Sequence, residues 1–372
     1  MDLAKNKLDR ITAFWNNYVW NYKTIQKKVL WNAEVKTNYY GDILSYFSNT
    51  FELLKSNVKK KGYGENIFYW TGVMQIIYVH QDLLDEVLRI FKIKKSSQKD
   101  KNPNRRIRNE LIGHPISRHR DKSFKSSVFW GNQLATKKIH YYKYSIKSGF
   151  TARSHSYELS IIINSHHVLL NKYFDIILNK INQILKKYLK QIESLEAMIE
   201  NGINFMDIVT LTSQIHEFFF KQNELYNLVT LNECKNREGE HKRYKHVVNT
   251  FLSKLKESIK ETNEDIHEIT SNTEETPKIE ENTQIPNIKI VVSGSENVDI
   301  DLTKQERDYN YELGKLYSRH PMFGIKYFKQ EFKNDSSIIE ELNNMEENYH
   351  NDLEYYSSYD YLKHLMDEKK LL

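Results

Sequence analysis

Glu65-Asn-Ile-Phe-Tyr-Trp-Thr-Gly-Val-Met-Gln-Ile-Ile-Tyr-Val-His-Gln-Asp-Leu-Leu-Asp-Glu-Val-Leu-Arg-Ile-Phe91 is the most apolar run of the chain. Trp70, Val73, Ile77, Leu84, Val87, Leu88 and Phe91 recur at three- and four-residue spacing, and Ile76, Val79 and Leu83 widen the stripe. That period lines one face of an α-helix, and so broad a stripe places the helix centrally in a bundle. Gln75, Gln81 and Asp82 interrupt it. Asp82 is a candidate support for a nearby arginine, although Gln81 and Asp82 read more simply as a polar turn facing solvent.

Working outward, Leu8, Ile11, Trp15, Tyr18, Tyr22, Ile25 and Val29 predict one helix with a short coiled-coil-like seam. Tyr40, Leu44, Phe47, Phe51, Leu54 and Val58 predict a second, ended by Lys59-Lys-Lys-Gly-Tyr-Gly64. Downstream, a short helix is expected between Pro103 and Pro115. Ile139, Tyr141, Tyr144 and Ile146 before Ser148-Gly149 predict a small β-hairpin within about 137–155. Leu159, Ile163, His166, Leu170, Phe174, Ile177, Ile181, Leu185 and Tyr188 restore helical spacing until Asn201-Gly202, and further helices are expected over Phe205–Leu231 and Lys242–Lys260. The expected fold is mainly α: a helical bundle over 1–200 with a hairpin insertion, a helical extension over 201–260, an acidic linker over 261–304, and a C-terminal helical segment over 305–372. Within that linker, Ile288–Gly294 and Val298–Leu302 are a candidate isolated hairpin. No internal repeat is visible.

Composition agrees with helices. The 372 residues hold only 12 Gly and 5 Pro but 25 Tyr and 17 Phe, which disfavours turn-rich sandwiches and still leaves apolar surface for a core. No run approaches the roughly 20 apolar residues that span a bilayer. Met1-Asp-Leu-Ala-Lys-Asn-Lys has no apolar signal region. A single cysteine, Cys234, excludes an internal disulfide framework and any cysteine-built zinc site, and reads as a half-buried spectator. A cytoplasmic protein without membrane, metal or cofactor is expected.

Charge is uneven. Lys92–Lys125 holds twelve basic residues against Asp100, Glu110 and Asp121, a local excess of nine, whereas Glu257–Glu281 holds nine acids against Lys260 and Lys278. A basic surface points to a phosphate-bearing partner, and a solvated loop in a Lys-rich protein explains it equally well.

Chemistry concentrates in Arg106-Ile-Arg-Asn-Glu-Leu-Ile-Gly-His-Pro115. A guanidinium binds phosphate through paired donors, an imidazole moves a proton, and an amide orients either. Arg108, Asn109 and His114 could thus cleave RNA without metal, using the neighbouring 2′-hydroxyl as nucleophile. On an ideal helix Arg108 and His114 stand about 120° apart around the axis and roughly 9 Å along it. Pro115 biases His114 away from helical dihedrals, and Gly113 loosens the last turn. Those groups meet either through that loosened turn or across a dimer axis. Spacing alone carries nothing, since such an Arg–His pair is expected roughly once by chance in this composition.

In context, Arg108-Asn109 followed by Gly113-His114-Pro115, after a long apolar helix and a basic loop, resembles the motif of the HEPN superfamily. The resemblance covers residues 1–200 loosely and 64–115 best. It lacks the tyrosine two residues after the histidine that one variant of the motif carries, since position 116 is Ile. It implies a helical bundle, catalytic Arg108, Asn109 and His114, and a homodimer or higher homo-oligomer with a composite site. It further implies an endoribonuclease of toxin or anti-phage defence systems with a cognate inhibitor or activator protein. Lys101, Arg105, Arg106, Arg118 and Arg120 would hold the RNA backbone. The alternative is a non-catalytic helical module binding a nucleotide, RNA or a protein, and a weaker third reading is a structural oligomer on the Leu8–Val29 seam.

Other motifs carry less. His166-His167 point about 100° apart on a helix and make a poor metal pair, so a satisfied core or interface histidine is favoured. Arg319-His320-Pro321 reads as a helix end. Tyr141, Tyr142, Lys143 and Tyr144 either stack bases beside a basic groove or pack the hairpin onto the bundle. No phosphate-cradling glycine loop, zinc-peptidase motif or nucleophile elbow is present.

Overall fold

The computed structural model describes residues 2–55, 62–94, 103–118, 120–129, 138–146, 149–222, 226–270, 309–318 and 321–371. Lys101, His119, the candidate hairpin at 288–302 and Arg319-His320 lie outside them. Among the described residues the chain is mainly α, with one four-stranded antiparallel sheet. No described helix is long and apolar enough to cross a membrane. Two compact units result, Met1–Tyr188 with Ile266–Pro277 and Leu189–Asp265 with Lys278–Leu372.

In the first unit the expected N-terminal helix is broken. α1 (Asp2–Phe14) widens into a π-turn at Trp15–Val19, and α2 is the short Lys23–Gln26. Tyr22 between them is extended, and the Asn21 amide closes the turn on the Asn17 carbonyl at 3.0 Å. Every member of the apolar stripe from Leu8 to Val29 is nevertheless buried. Those side chains form core, so the stripe offers no seam to a second chain, and the structural-oligomer reading on it fails.

α3 (Tyr39–Lys55), α4 (Tyr63–Ile90) and the start of α6 (Leu159–Glu200) complete this bundle. α4 is central as its stripe predicts: Trp70, Val73, Ile77, Leu84, Val87 and Leu88 are all buried. Aromatic rings fill the space between helices, with Trp15 stacked on Tyr40 at 3.8 Å and Phe47 edge-on to Phe174 at 5.8 Å between centroids. Gln81 is fully buried, which corrects its expected exposure.

His166 is the buried core histidine expected, and its partner is His80. The Thr50 hydroxyl donates to the Tyr46 carbonyl at 2.6 Å, so its oxygen accepts from His80 Nε2, also at 2.6 Å. His80 Nδ1 is then the acceptor, and His166 Nε2 donates to it at 3.0 Å. Burial pushes the His80 imidazole down to about 3 and His166 well below its ordinary value, so both are neutral.

The expected hairpin is half of a sheet. β1 (Ile116–Arg118), β2 (Phe124–Phe129), β3 (Lys138–Ser145) and β4 (Arg153–Glu158) pair in chain order, with Ile116 opposite Ser126, Ser126 opposite Tyr144, and Tyr142 opposite Ser154. Alternation sends Ile139 and Tyr141 inward, where they join Trp70, Val73, Ile77, Ile107, Leu111 and Ile162 in one apolar cluster. The sheet is thereby pinned to α4, to α5 (Pro103–Arg108) and to α6.

In the second unit the expected helix over Phe205–Leu231 is three pieces: α7 (Phe205–Ile215), α8 (Glu217–Gln222) and α9 (Leu228–Asn236). His216 leaves helical dihedrals after α7, and the Asn227 side chain caps α9 by accepting from the Thr230 amide at 2.8 Å. α10 (Lys242–Thr270), whose residues from Ile266 onward belong to the first unit, runs ten residues beyond Lys260, so 261–270 is helix rather than linker. Ile259, Thr262, Ile266 and Ile269 are buried along it at helical spacing, a stripe hidden among acids. α11 (Tyr309–Tyr317), α12 (Pro321–Glu331), α13 (Ser336–Glu347) and α14 (Asp352–Glu368) pack around Leu316, Phe328, Leu342, Met345, Tyr355 and Leu362. Cys234 is wholly buried rather than half-buried, and burial raises its thiol to about 11, an inert state.

Candidate functional site

The segment bearing Arg108, Asn109 and His114 is anchored from within. Pro103 opens α5, where a missing amide hydrogen costs nothing. Asn104 is buried and donates to the Ile162 carbonyl at 3.1 Å, and Ile107 and Leu111 sit in the apolar cluster. With those side chains inward, Arg105, Arg106, Arg108 and Asn109 turn outward.

After Arg108 the helix widens. Asn109–Gly113 is a π-turn closed by the His114 amide on the Asn109 carbonyl at 2.8 Å. Such single wide turns carry one residue more than an α-turn and concentrate at functional sites. His114 itself leaves helical dihedrals, at φ −141° and ψ 59°, in keeping with the bias against helix that Pro115 imposes.

Arg108 is clamped. Its guanidinium lies 4.2 Å from the Tyr78 ring centroid, donates from Nε and Nη2 to Gln75 Oε1 at 3.3 and 3.1 Å, and from Nη1 to Asn109 Oδ1 at 3.1 Å. Gly113 makes that pose possible, because a Cβ there would stand 2.5 Å from Nη1. Arg105 lies on the same tyrosine at 4.7 Å and pairs with Asp82 at 3.1 Å. Asp82 therefore supports an arginine, but Arg105 rather than Arg108.

Beside this clamp is a cleft of about 700 Å³. Arg105, Arg106, Asn109, Glu110, His114 and Pro115 form one wall, and Ser117, Lys125, Ser127 and Lys143 from the inner face of the sheet, with Arg118 at the end of β1, form the other. Five permanent cations thus oppose the single carboxylate of Glu110. Burial pushes the Glu110 carboxyl up, but hydrogen bonds from Lys143 at 2.6 Å and Tyr141 at 2.8 Å, with the charge of Arg106, bring it below its ordinary value. Tyr141 moves the other way, raised by burial and by its bond to Glu110.

Of the residues singled out from sequence, Arg105, Arg106, Asn109, His114 and Arg118 share the cleft. Arg108 is not among its lining residues and meets it through Asn109, which touches both. Arg120 is exposed in the β1–β2 turn and also does not line the cleft. The four tyrosine-region candidates separate by strand parity: Tyr141 packs inward and Lys143 faces the cleft, while Tyr142 and Tyr144 take the outer face.

Lys125, Ser127, Ser117 and Glu110 escape a reading by sequence, as do Gln75 and Tyr78. For the last two a signal exists. Gln75, Tyr78 and Asp82 fall at helical spacing on α4, a polar stripe set against its apolar one. The strand residues would be found by alternation, once β2 is recognised. Among the described residues no group of three His, Cys, Asp or Glu side chains is placed to hold a metal ion.

Comparison of the chain with protein-family models, with curated proteins and with solved structures finds no match.

Proposed function

We propose that the chain is an endoribonuclease that needs no metal and works in the cleft beside Arg108. One observation carries this reading: His114 and Asn109 share a cleft with five cations, and Asn109 holds the guanidinium of Arg108. A phosphodiester is the natural guest of such a charge distribution. The 2′-oxygen attacks phosphorus as the P–O5′ bond breaks, giving a 2′,3′-cyclic phosphate and a 5′-hydroxyl. His114 transfers a proton in that exchange. Arg108 offsets charge on the non-bridging oxygens, and Asn109 orients it. Arg105, Arg106, Arg118, Lys125 and Lys143 hold the flanking backbone.

A second reading is a non-catalytic module that binds RNA. It is favoured by the clamp itself, since Arg108 is committed to Gln75, Tyr78 and Asn109 and stands off the cleft wall. The resemblance to HEPN proteins supports the first reading. It adds a homodimer with a composite site, a toxin or defence role, a cytoplasmic setting and a cognate inhibitor or activator as further proposals.

The test is direct. Purified chain is incubated with total RNA in EDTA, alongside Arg108→Ala and His114→Ala. Cleavage by the parent and by neither variant is the expected result. Equal cleavage by all three, or none by the parent with candidate activators added, removes the enzyme.

A further inference from the structure

The sheet has two unlike faces. The inner one feeds the core and the cleft. The outer one is open to solvent, with Ile116 71% and Val128 54% exposed. On it His140, Tyr142 and Tyr144 stand in single file along β3, because alternate residues share a face. Across the strands Ser126 opposes Tyr144, Val128 and Ser154 flank Tyr142, and Ser156 opposes His140. On the β4 side the flanking residues are the exposed Ser154 and Ser156, and the three aromatic side chains are themselves partly exposed.

The spacing of that file matters. Two residues of strand advance about 6.8 Å, close to two thicknesses of a stacked base at about 3.4 Å each. A flat base can therefore enter between successive rings, or lie on one, as the strand advances along β3. Arg118 shares the face and is exposed, and Arg120 and Lys122 follow in the β1–β2 turn against Asp121 alone. That end of the platform is positive. Partly exposed rings beside a basic rim suit a strand of unpaired nucleotides, whose bases stack while its phosphates meet the cations.

We infer that the outer face of the sheet is a stacking platform for single-stranded RNA, read through Tyr142 and Tyr144, with Arg118 and the following turn holding phosphates. The nature of the ligand rests on the proposed function, but the platform does not require cleavage. β1 and β2 present alternate residues to the cleft and to this face, so one strand of RNA folded over the β1–β2 end touches both.

The experiment uses the full chain carrying His114→Ala, so that substrate survives. Fluorescence anisotropy follows binding of a labelled oligouridine of about 12 nucleotides and of an RNA duplex of similar length. Joint replacement Tyr142→Ser with Tyr144→Ser weakens the oligouridine at least tenfold and the duplex by less than about twofold, since stacking on one ring changes affinity by roughly 5- to 150-fold. Joint Tyr142→Phe with Tyr144→Phe keeps the ring, controls for folding, and binds as the parent does. Unchanged oligouridine affinity in the serine pair, equal weakening of both ligands, or no binding by the His114→Ala parent overturns the inference. Tyrosine-dependent binding without any cleavage by the unmutated chain upholds the platform and removes the nuclease. Cleavage with a serine pair that binds like its parent does the reverse.

Discussion

Gly113→Ala is the sharpest probe of the clamp. The added Cβ would stand 2.5 Å from Nη1 and 3.3 Å from Cζ of Arg108, and 3.5 Å from Asn109 Oδ1. Ordinary carbon contacts begin near 3.5 Å, so the guanidinium must retreat by about 1 Å. Its bond to Asn109 is already 3.1 Å long and does not survive that shift. Losing a hydrogen bond from a charged donor costs roughly 1.5–3 kcal/mol when nothing replaces it. Arg108 is only half-buried, so water recovers part of this, and alanine offsets about 0.5–1 kcal/mol through its lower chain entropy. Gly113 does not occupy the left-handed region, so the backbone accepts the change. The expected net loss of stability is about 1 kcal/mol or less by urea titration. A catalytic group misplaced by 1 Å loses on the order of 10²-fold in rate, so cleavage in EDTA should fall by far more than stability does. Gln75→Ala, which frees the other side of the guanidinium without adding atoms, should share the phenotype. A Gly113→Ala protein as stable and as active as its parent would refute the assignment of any role to the Arg108 pose.

Other consequences are accessible to simpler measurements. His80, His166 and His216 all have pKa values held down by burial, with His80 near 3 and His216 near 4. Between about pH 6.5 and 4.5 the unfolded chain takes up protons that the folded chain refuses, so stability falls by up to about 1.4 kcal/mol per pH unit for each histidine. Denaturant midpoints that are flat over that window would contradict the burial of these rings. Tyr141→Phe removes a hydrogen bond that lowers the Glu110 pKa, and NMR titration should place that carboxyl higher than in the parent. Binding of single-stranded RNA to the cleft should weaken with salt at a slope of about −0.7 for each phosphate neutralised, and Lys125→Ala should flatten it by roughly that amount. A slope identical in parent and variant would take Lys125 out of the interface.

Helices with broad apolar stripes were legible because burial selects at a fixed period: α4 and α6 follow directly from residues such as Trp70, Ile77, Leu170 and Ile181. What burial does not fix is continuity. The stripe from Leu8 to Val29 is wholly interior, yet the backbone carrying it breaks, since a π-turn and an extended Tyr22 deliver the same side chains to the core. The acidic end of α10 failed for the opposite reason: four small or branched residues at the right period are swamped by their charged neighbours. β1 and β2 were missed because Ser117, Lys125 and Ser127 on the inner face are polar, their partner being a cleft rather than a core. The same fact hid half of the candidate site. Residue types near Arg108 were readable from the chain, but the second wall depends on pairings between β1, β2 and β3 that no local pattern encodes. Arg108 shows the limit most clearly, since its contacts with Gln75 and Tyr78 reach back 33 and 30 positions to a helix read chiefly for its apolar side.

The wide turn at Asn109–Gly113 makes the count of residues, not just their identity, a determinant of where His114 points. Deleting Ile112, a half-buried side chain, would let the segment relax to an ordinary α-turn while every charge in the cleft stays in the protein. The imidazole would then swing by roughly 100° about the helix axis, the arc of one residue. Frame-preserving loss of a single codon would thus redirect the candidate proton donor without touching the residues that identify it.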